Sequence, residues 1–314
     1  MSAQTVQTRP AADRASAADR GGGEQRPQRS AWLFIAPFAA VYLLFLIGPA
    51  AYMLIASFTD TSLVQGGLGG WAGLANYQEM LTSSLFWSAM WHTLQFTLYT
   101  VPPLVVLSFV FAVLANRMQR GHVFWRMAFF VPFILPSASI SLIWVFIYTG
   151  DTGLLAQVQQ WFGITAPTPV LADPATAMIG IAVATIWWTI GFNFILYLAG
   201  LQDIPRELYE AAAIDGATPW QQIRHLTIPL LRRTTTLVVL LQIIASLKIF
   251  DQVYLMTDGG PGTSTQTALL LITRTGFTDY RIGAAAAASA LLFVVIVAIA
   301  VVRQLVDRAQ QKEA

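Results

Sequence analysis

Glu210-Ala211-Ala212-Ala213-Ile214-Asp215-Gly216-Ala217, followed by Thr218-Pro219-Trp220 and then by Leu226-Thr227-Ile228-Pro229, is the stretch that decides the fold. It lies between two strongly apolar runs. Ala211 to Ala213 are strong helix formers, and Gly216 supplies the backbone freedom that a helix terminus needs. Thr218 is placed to cap a second helix, Pro219 suits its first position, and Gln221 completes a capping-box pattern. Pro229 closes the unit. The spacing therefore predicts two short helices broken at Asp215-Gly216, a compact shape suited to being gripped by another molecule.

The surroundings of this unit belong in a membrane. The chain has 314 residues, of which 56% are hydrophobic and only 11% charged, with a mean hydropathy of +0.59. A soluble domain carries about 25% charged residues. The composition points to an all-α integral membrane protein. Cysteine is absent, which removes disulfides, thiolate metal sites and a cysteine nucleophile. The histidines are His92, His122 and His225, too few and too scattered for a metal cluster, so no metal site is expected.

A bilayer core takes about 20 mostly apolar residues per helix. Six runs qualify, near residues 31–58, 89–115, 123–148, 174–201, 234–256 and 283–302. The predicted organisation is a solvated N-terminal tail over residues 1–30, a six-helix transmembrane domain over 31–303 with the opening unit inside a loop at 203–231, and a C-terminal tail over 304–314. The first run is too long for a cleavable signal sequence, so it reads as a retained anchor. Gly48-Pro49, Pro102-Pro103 and Pro136 mark expected breaks, and ordinary packing kinks are the plainer account of them.

The charges orient the spans. Five Arg lie in the tail, three between the second and third spans, four between the fourth and fifth, and three Lys or Arg at the C-terminal end. On the other side lie only Arg274 and Arg281, while Lys248 sits inside a span. This asymmetry follows the positive-inside rule. It places both termini and the opening unit in the cytoplasm, and it accounts for the net charge of +2 without nucleic acid. A connector lying on the lipid surface would be rich in Lys and Arg. Residues 203–217 instead carry Asp203, Glu207, Glu210 and Asp215 against Arg206 alone, which favours a protein partner.

The Glu-Ala-Ala-x-x-Asp-Gly-Ala pattern and the Leu-Thr-Ile-Pro-Leu-Leu sequence after it closely resemble the EAA loop of binding-protein-dependent ABC transporter permeases. Leu198 to Tyr209 is similar to the same family, and the likeness runs from about the first span to the C-terminus. One departure is Arg233, where many members carry a further proline. The resemblance implies the ABC importer permease fold, with coupling helices that dock into a cleft of a separate ATPase. It assigns that role to Glu210, Ala211, Ala212, Asp215, Gly216, Ala217 and Pro229. It also implies a second homologous permease subunit, an ATPase dimer that carries ATP and Mg, an extracytoplasmic solute-binding protein, and a bacterial cytoplasmic membrane. The chain contains no phosphate-loop pattern of its own, and no cofactor is expected on it.

A second signature, Phe250 to Gly262 with Gly259-Gly260-Pro261, resembles the carbohydrate-uptake branch, in which the substrate is a sugar or sugar derivative. The glycines and proline force a tight turn, and residues 267–280 are expected to form a short helix at the outer surface. This segment reads either as a plain linker or as a contact for the binding protein and a lid. For the substrate pathway the candidates are Trp188, Asn193, Gln242, Lys248, Asp251 and Tyr254, with Trp187 and Tyr197 beside them. Sugars call for aromatic faces and hydrogen-bonding amides. Lys248 and Asp251 are three apart and would pair if they shared a helix. Packing or interfacial anchoring is the plainer account of the tryptophans, and a structural ion pair that of Lys248 and Asp251. A self-contained secondary transporter or channel is the rival reading. It would predict charges near the middle of several spans and an inverted repeat, and neither is evident.

Overall fold

The computed structural model describes residues 29–117, 122–150, 152–164 and 169–312. The expected N-terminal tail lies outside the described residues, except for Arg29 and Ser30, which are helical. By its contacts the chain divides into two compact units, residues 1–52 and 53–314.

In the first unit, α1 (Arg29–Tyr42) continues through a π-helical turn, Leu43–Ile47, into α2 (Gly48–Ala56), whose last residues begin the second unit. The Gly48 N–H reaches back to the Leu43 carbonyl. This wider turn immediately precedes Pro49, which has no N–H to donate, so the helix passes Gly48-Pro49 without the expected break. Ile35–Ala56 is long and apolar enough to cross a membrane.

The second unit continues with α3 (Ala75–Thr82), α4 (Ser84–Arg117), α5 (His122–Ile134), α6 (Ser137–Tyr148), α7 (Leu154–Trp161) and α8 (Ala177–Gln202). Next come α9 (Arg206–Ile214), α10 (Pro219–Gln222), α11 (Ile228–Leu230) and α12 (Arg232–Leu247). Last are α13 (Asp251–Met256), α14 (Ala268–Thr273) and α15 (Ile282–Lys312). Among the described residues there is no strand, only an isolated bridge between Thr59 and Trp71.

The centre of this unit is α8, packed on α4, α5 and α12. Close approach is possible because glycines sit at the crossings. A Cβ on Gly191 would stand 2.0 Å from the Phe129 carbonyl oxygen, and one on Gly200 would stand 2.6 Å from Thr234 Oγ1. Around these crossings Phe194, Tyr197, Leu231 and Val238 are buried with Ala112 and Ala115 of α4.

Four single helices are long and apolar enough to span a bilayer. Two bent pairs supply up to two more crossings. One joins Phe124–Ile134 to Ser137–Tyr148 at 97°, and the other joins Pro219–Leu230 to Arg232–Leu247 at 65°. Pro136 thus breaks the third run as expected, while Pro102 and Pro103 lie inside an unbroken α4.

Two expectations are corrected. The fifth run is not continuous from 234 to 256, because α12 stops at Leu247 and a new helix starts at Asp251. Residues 304–312, read as tail, extend α15. The helix expected at the outer surface forms as α14 with a π-helical turn at Arg274–Thr278. Its Leu270, Leu271 and Ile272 are buried and pack with residues of α4 and α15, while Phe277 in the π-helical turn is exposed.

Candidate functional site

The unit that opened the sequence reading folds as the local residues dictate. At the end of α9, Gly216 takes φ +82°, a left-handed conformation that side chains with a Cβ resist. Its N–H donates to the Ala213 carbonyl, and the Ala217 N–H donates to the Ala212 carbonyl at 2.9 Å. Two orphan carbonyls of α9 are thereby satisfied in a Schellman arrangement. One residue later the capping box is complete. The Gln221 N–H donates to Thr218 Oγ1, the Thr218 N–H donates to Gln221 Oε1 at 2.7 Å, and Pro219 opens α10.

The two helices are stapled to each other and to the bundle. The Tyr209 hydroxyl meets Thr227 Oγ1 at 3.0 Å, Gln222 Nε2 donates to the Tyr209 carbonyl, and Arg117 Nη2 donates to the Pro219 carbonyl. Tyr209 packs against the cluster around Leu231 and Leu198. The other face is bare. Glu210, Ala211, Asp215, Gly216 and Pro229 are exposed, Ala212 and Ala217 are half-buried, and Ile214 is 87% exposed. Trp220 of α10 is likewise 68% exposed.

Of the pathway candidates, the structure brings four together. Trp188, Gln242, Lys248 and Asp251 line one cavity of about 180 Å³, with Phe96, Thr185 and Ser246 among its other walls. Asn193 is fully buried behind it and accepts a hydrogen bond from Gln242 Nε2 at 2.8 Å, so it orients the Gln242 amide. Tyr254 does not line this cavity; it lies further along α13, stacked on Phe250. Tyr197 is buried in the core against Phe109. Trp187 is 43% exposed and packs edge-on to Trp144, outside the cavity.

The expected Lys248–Asp251 pair does not form. The helix ends at Leu247, with Lys248 as its C-cap, and a new one starts at Asp251, so the two residues do not share a helical face. Asp251 Oδ2 instead accepts from Ser137 Oγ at 2.5 Å. Ion pairs form elsewhere, between Arg274 and Asp258 at 2.8 Å and between Arg281 and Glu79.

The Gly259-Gly260-Pro261 turn is built as its composition requires. Gly259 has φ +78°, Gly262 has φ +61°, and the Gly260-Pro261 bond is cis. Thr265 clamps the loop, donating to the Gly260 carbonyl at 2.7 Å and bonding the Thr257 hydroxyl at 2.7 Å. Arg274 closes it from α14's extension, donating to the Asp258 carbonyl at 2.6 Å.

Residues 65–312 match the family described as binding-protein-dependent transport system inner membrane component. The chain belongs to this family. The permease is 32% identical to the trehalose/maltose transport system permease protein MalF of Thermococcus litoralis, over 90% of this chain and 95% of that one. It is also 32% identical to the sulfoquinovosyl glycerol transport system permease protein SmoG of Agrobacterium fabrum, over 83% of this chain and 84% of that one. Its fold matches a chain of a bacterial alginate ABC transporter, solved in complex with an alginate pentasaccharide-bound periplasmic protein. The TM-score is 0.78 at 22% identity, over 90% of the permease and 95% of that chain. The protein is therefore a multi-pass membrane subunit of the ABC transporter permease class, a transport component.

Sequence reasoning missed two residues of the permease and one contact of a third. Ser137 holds Asp251, and Phe250 forms part of the cavity wall. Trp188, read as a sugar contact or a packing residue, also donates from Nε1 to the Leu135 carbonyl at 3.1 Å. That carbonyl lies at the bend where the third run breaks. Pro136 was the available signal: a break inside the membrane needs an outside donor for the carbonyls it frees.

Proposed function

We propose that this permease is the membrane-spanning subunit of an ATP-driven, binding-protein-dependent sugar importer that works by alternating access. In this reading six spans cross the cytoplasmic membrane, with both termini and α9–α10 on the cytoplasmic side. A second homologous permease subunit completes the pore, a separate ATPase dimer holds ATP and Mg, and an extracytoplasmic binding protein delivers the sugar. The observation that carries the reading is the capped, stapled and exposed α9–α10 unit, set between α8 and α12.

The mechanism follows from that placement. Closure of the ATPase dimer moves α9–α10 as one body, because the capping box and the Tyr209–Thr227 bond leave little slack within it. α8 and α12 carry the motion to the cavity, since Trp188 belongs to one and Gln242 to the other. Driving a two-state equilibrium from 1:99 to 99:1 takes about 5.5 kcal/mol of differential binding, and a flexing joint would dissipate it. The sugar assignment is supported by the transport systems of the relatives named above and by the aromatic and amide groups at the cavity.

Two substitutions test the joint. Gly216→Pro and Glu210→Lys are expected to leave membrane insertion intact while abolishing substrate-stimulated ATP hydrolysis and uptake in the reconstituted importer. Normal uptake by both variants would end the coupling reading. Co-purification in mild detergent separates the importer from a self-contained secondary transporter: an ATPase co-elutes with the first and none with the second.

A further inference from the structure

Beyond the inner cavity lies a larger recess of about 800 Å³, whose walls include Phe250, Tyr254, Asp258, Gln266, Arg274 and Phe277. Phe250 also lines the inner cavity, so this one side chain borders both spaces. Its ring stacks on that of Tyr254 with centroids 5.4 Å apart and planes 9° apart. Together they form a parallel aromatic stack. Tyr254 is 50% exposed and Phe277 is 66% exposed, so both rings offer open faces. Asp258 and Arg274, paired at 2.8 Å, provide hydrogen-bonding groups on the same wall, with the carboxylate side chain 64% exposed.

Aromatic faces beside a carboxylate, a guanidinium and an amide suit a sugar ring. The ring's C–H face packs on the π surface and its hydroxyls bond the polar rim. Size separates the two spaces. Small-molecule sites run from about 300 to 1,000 Å³. The recess falls within that range and the inner cavity, at about 180 Å³, falls below it.

We propose that the recess is a second binding station for a sugar ring, distinct from the inner cavity and partitioned from it by Phe250. The proposal rests on the sugar-importer reading. A substrate with more than one ring then occupies both stations at once, with one ring against the exposed Tyr254 of that stack.

The test uses the complete importer in proteoliposomes, with saturating loaded binding protein. The probes are methyl glucosides and the corresponding α- and β-linked di- and trisaccharides. Tyr254→Ala is expected to lower trisaccharide turnover about ten-fold, the equivalent of one lost stacking contact, and methyl glucoside turnover less than two-fold. Tyr254→Phe, which keeps the ring, is expected to stay within two-fold of wild type on both. Phe277→Ala provides an independent variant should Tyr254→Ala fail to assemble. Equal losses on short and long substrates would assign these rings to docking or folding and overturn the station, as would no loss on either. Carriage of methyl glucosides alone would overturn the station while sparing the sugar reading. Carriage of no glycoside by the wild type would end both.

Discussion

At the residue scale, two glycines with different duties make opposite predictions. Gly216 has open space around its missing Cβ, so only its positive φ matters. Gly216→Ala should cost about 1–2 kcal/mol locally, giving normal yield from the membrane and a slightly lower melting temperature in detergent. Gly191 has no such latitude, because an added Cβ would meet the backbone of Phe129 and Phe130. Gly191→Ala should force α5 and α8 apart and sharply reduce the monodisperse fraction on size exclusion. The first glycine was legible in the sequence, since Asp215-Gly216-Ala217-Thr218-Pro219 spells a helix stop and a helix start within five residues. The second was not, because nothing near Gly191 in sequence announces that Phe129 lies against it.

At the element scale, the prolines show what local sequence leaves open. Pro102-Pro103 and Pro136 both read as breaks, yet α4 runs straight through the first pair while the second opens a 97° bend. The difference lies in tertiary partners. The bend has a donor for its free Leu135 carbonyl in Trp188 and an anchor for its second arm in the Ser137–Asp251 bond. Trp188→Phe keeps an aromatic ring, though a smaller one, and removes the donor. It should cost about 1 kcal/mol and accelerate amide exchange at the start of α6, around Ile140. The same logic explains why the Lys248–Asp251 pair failed: a three-residue spacing implies contact only within one helix, and the helix ends at Leu247. A second tie, from Arg281 at the start of α15 to Glu79 of α3, is bidentate at 2.7 and 2.5 Å. The Arg281 hydrogen bonds hold the Glu79 carboxyl below its ordinary 4.5, with a smaller Coulombic contribution from the same guanidinium. A depressed carboxylate stabilises the fold in full at neutral pH, and that stabilisation fades as pH falls through the lowered value. With both side chains about half exposed, solvent screening limits the effect to under about 1 kcal/mol. Glu79→Gln should therefore melt slightly below wild type at pH 7, and the two curves should converge below pH 4.5.

At the scale of the whole molecule, the membrane-spanning character was legible because hydropathy is a summed property that survives local error. The cavity was legible only in part. Residue chemistry nominated Trp188, Gln242, Lys248 and Asp251, but their convergence depends on α12 stopping at Leu247. Orientation rests on the summed charge, and the chain offers a clean way to test it. Because cysteine is absent, a single introduced thiol reports without background. Ile214 is 87% exposed in the α9–α10 unit, and Trp161 is 80% exposed at the end of α7 between the third and fourth spans. The positive-inside distribution puts these two positions on opposite sides of the membrane. In right-side-out vesicles, a membrane-impermeant maleimide should label Trp161→Cys and spare Ile214→Cys; inside-out vesicles should reverse the pattern. Labelling of both from one side would refute the topology and, with it, a cytoplasmic joint. Adding the ATPase to inside-out vesicles should then protect Ile214→Cys, because the face that carries it is the one the coupling reading covers.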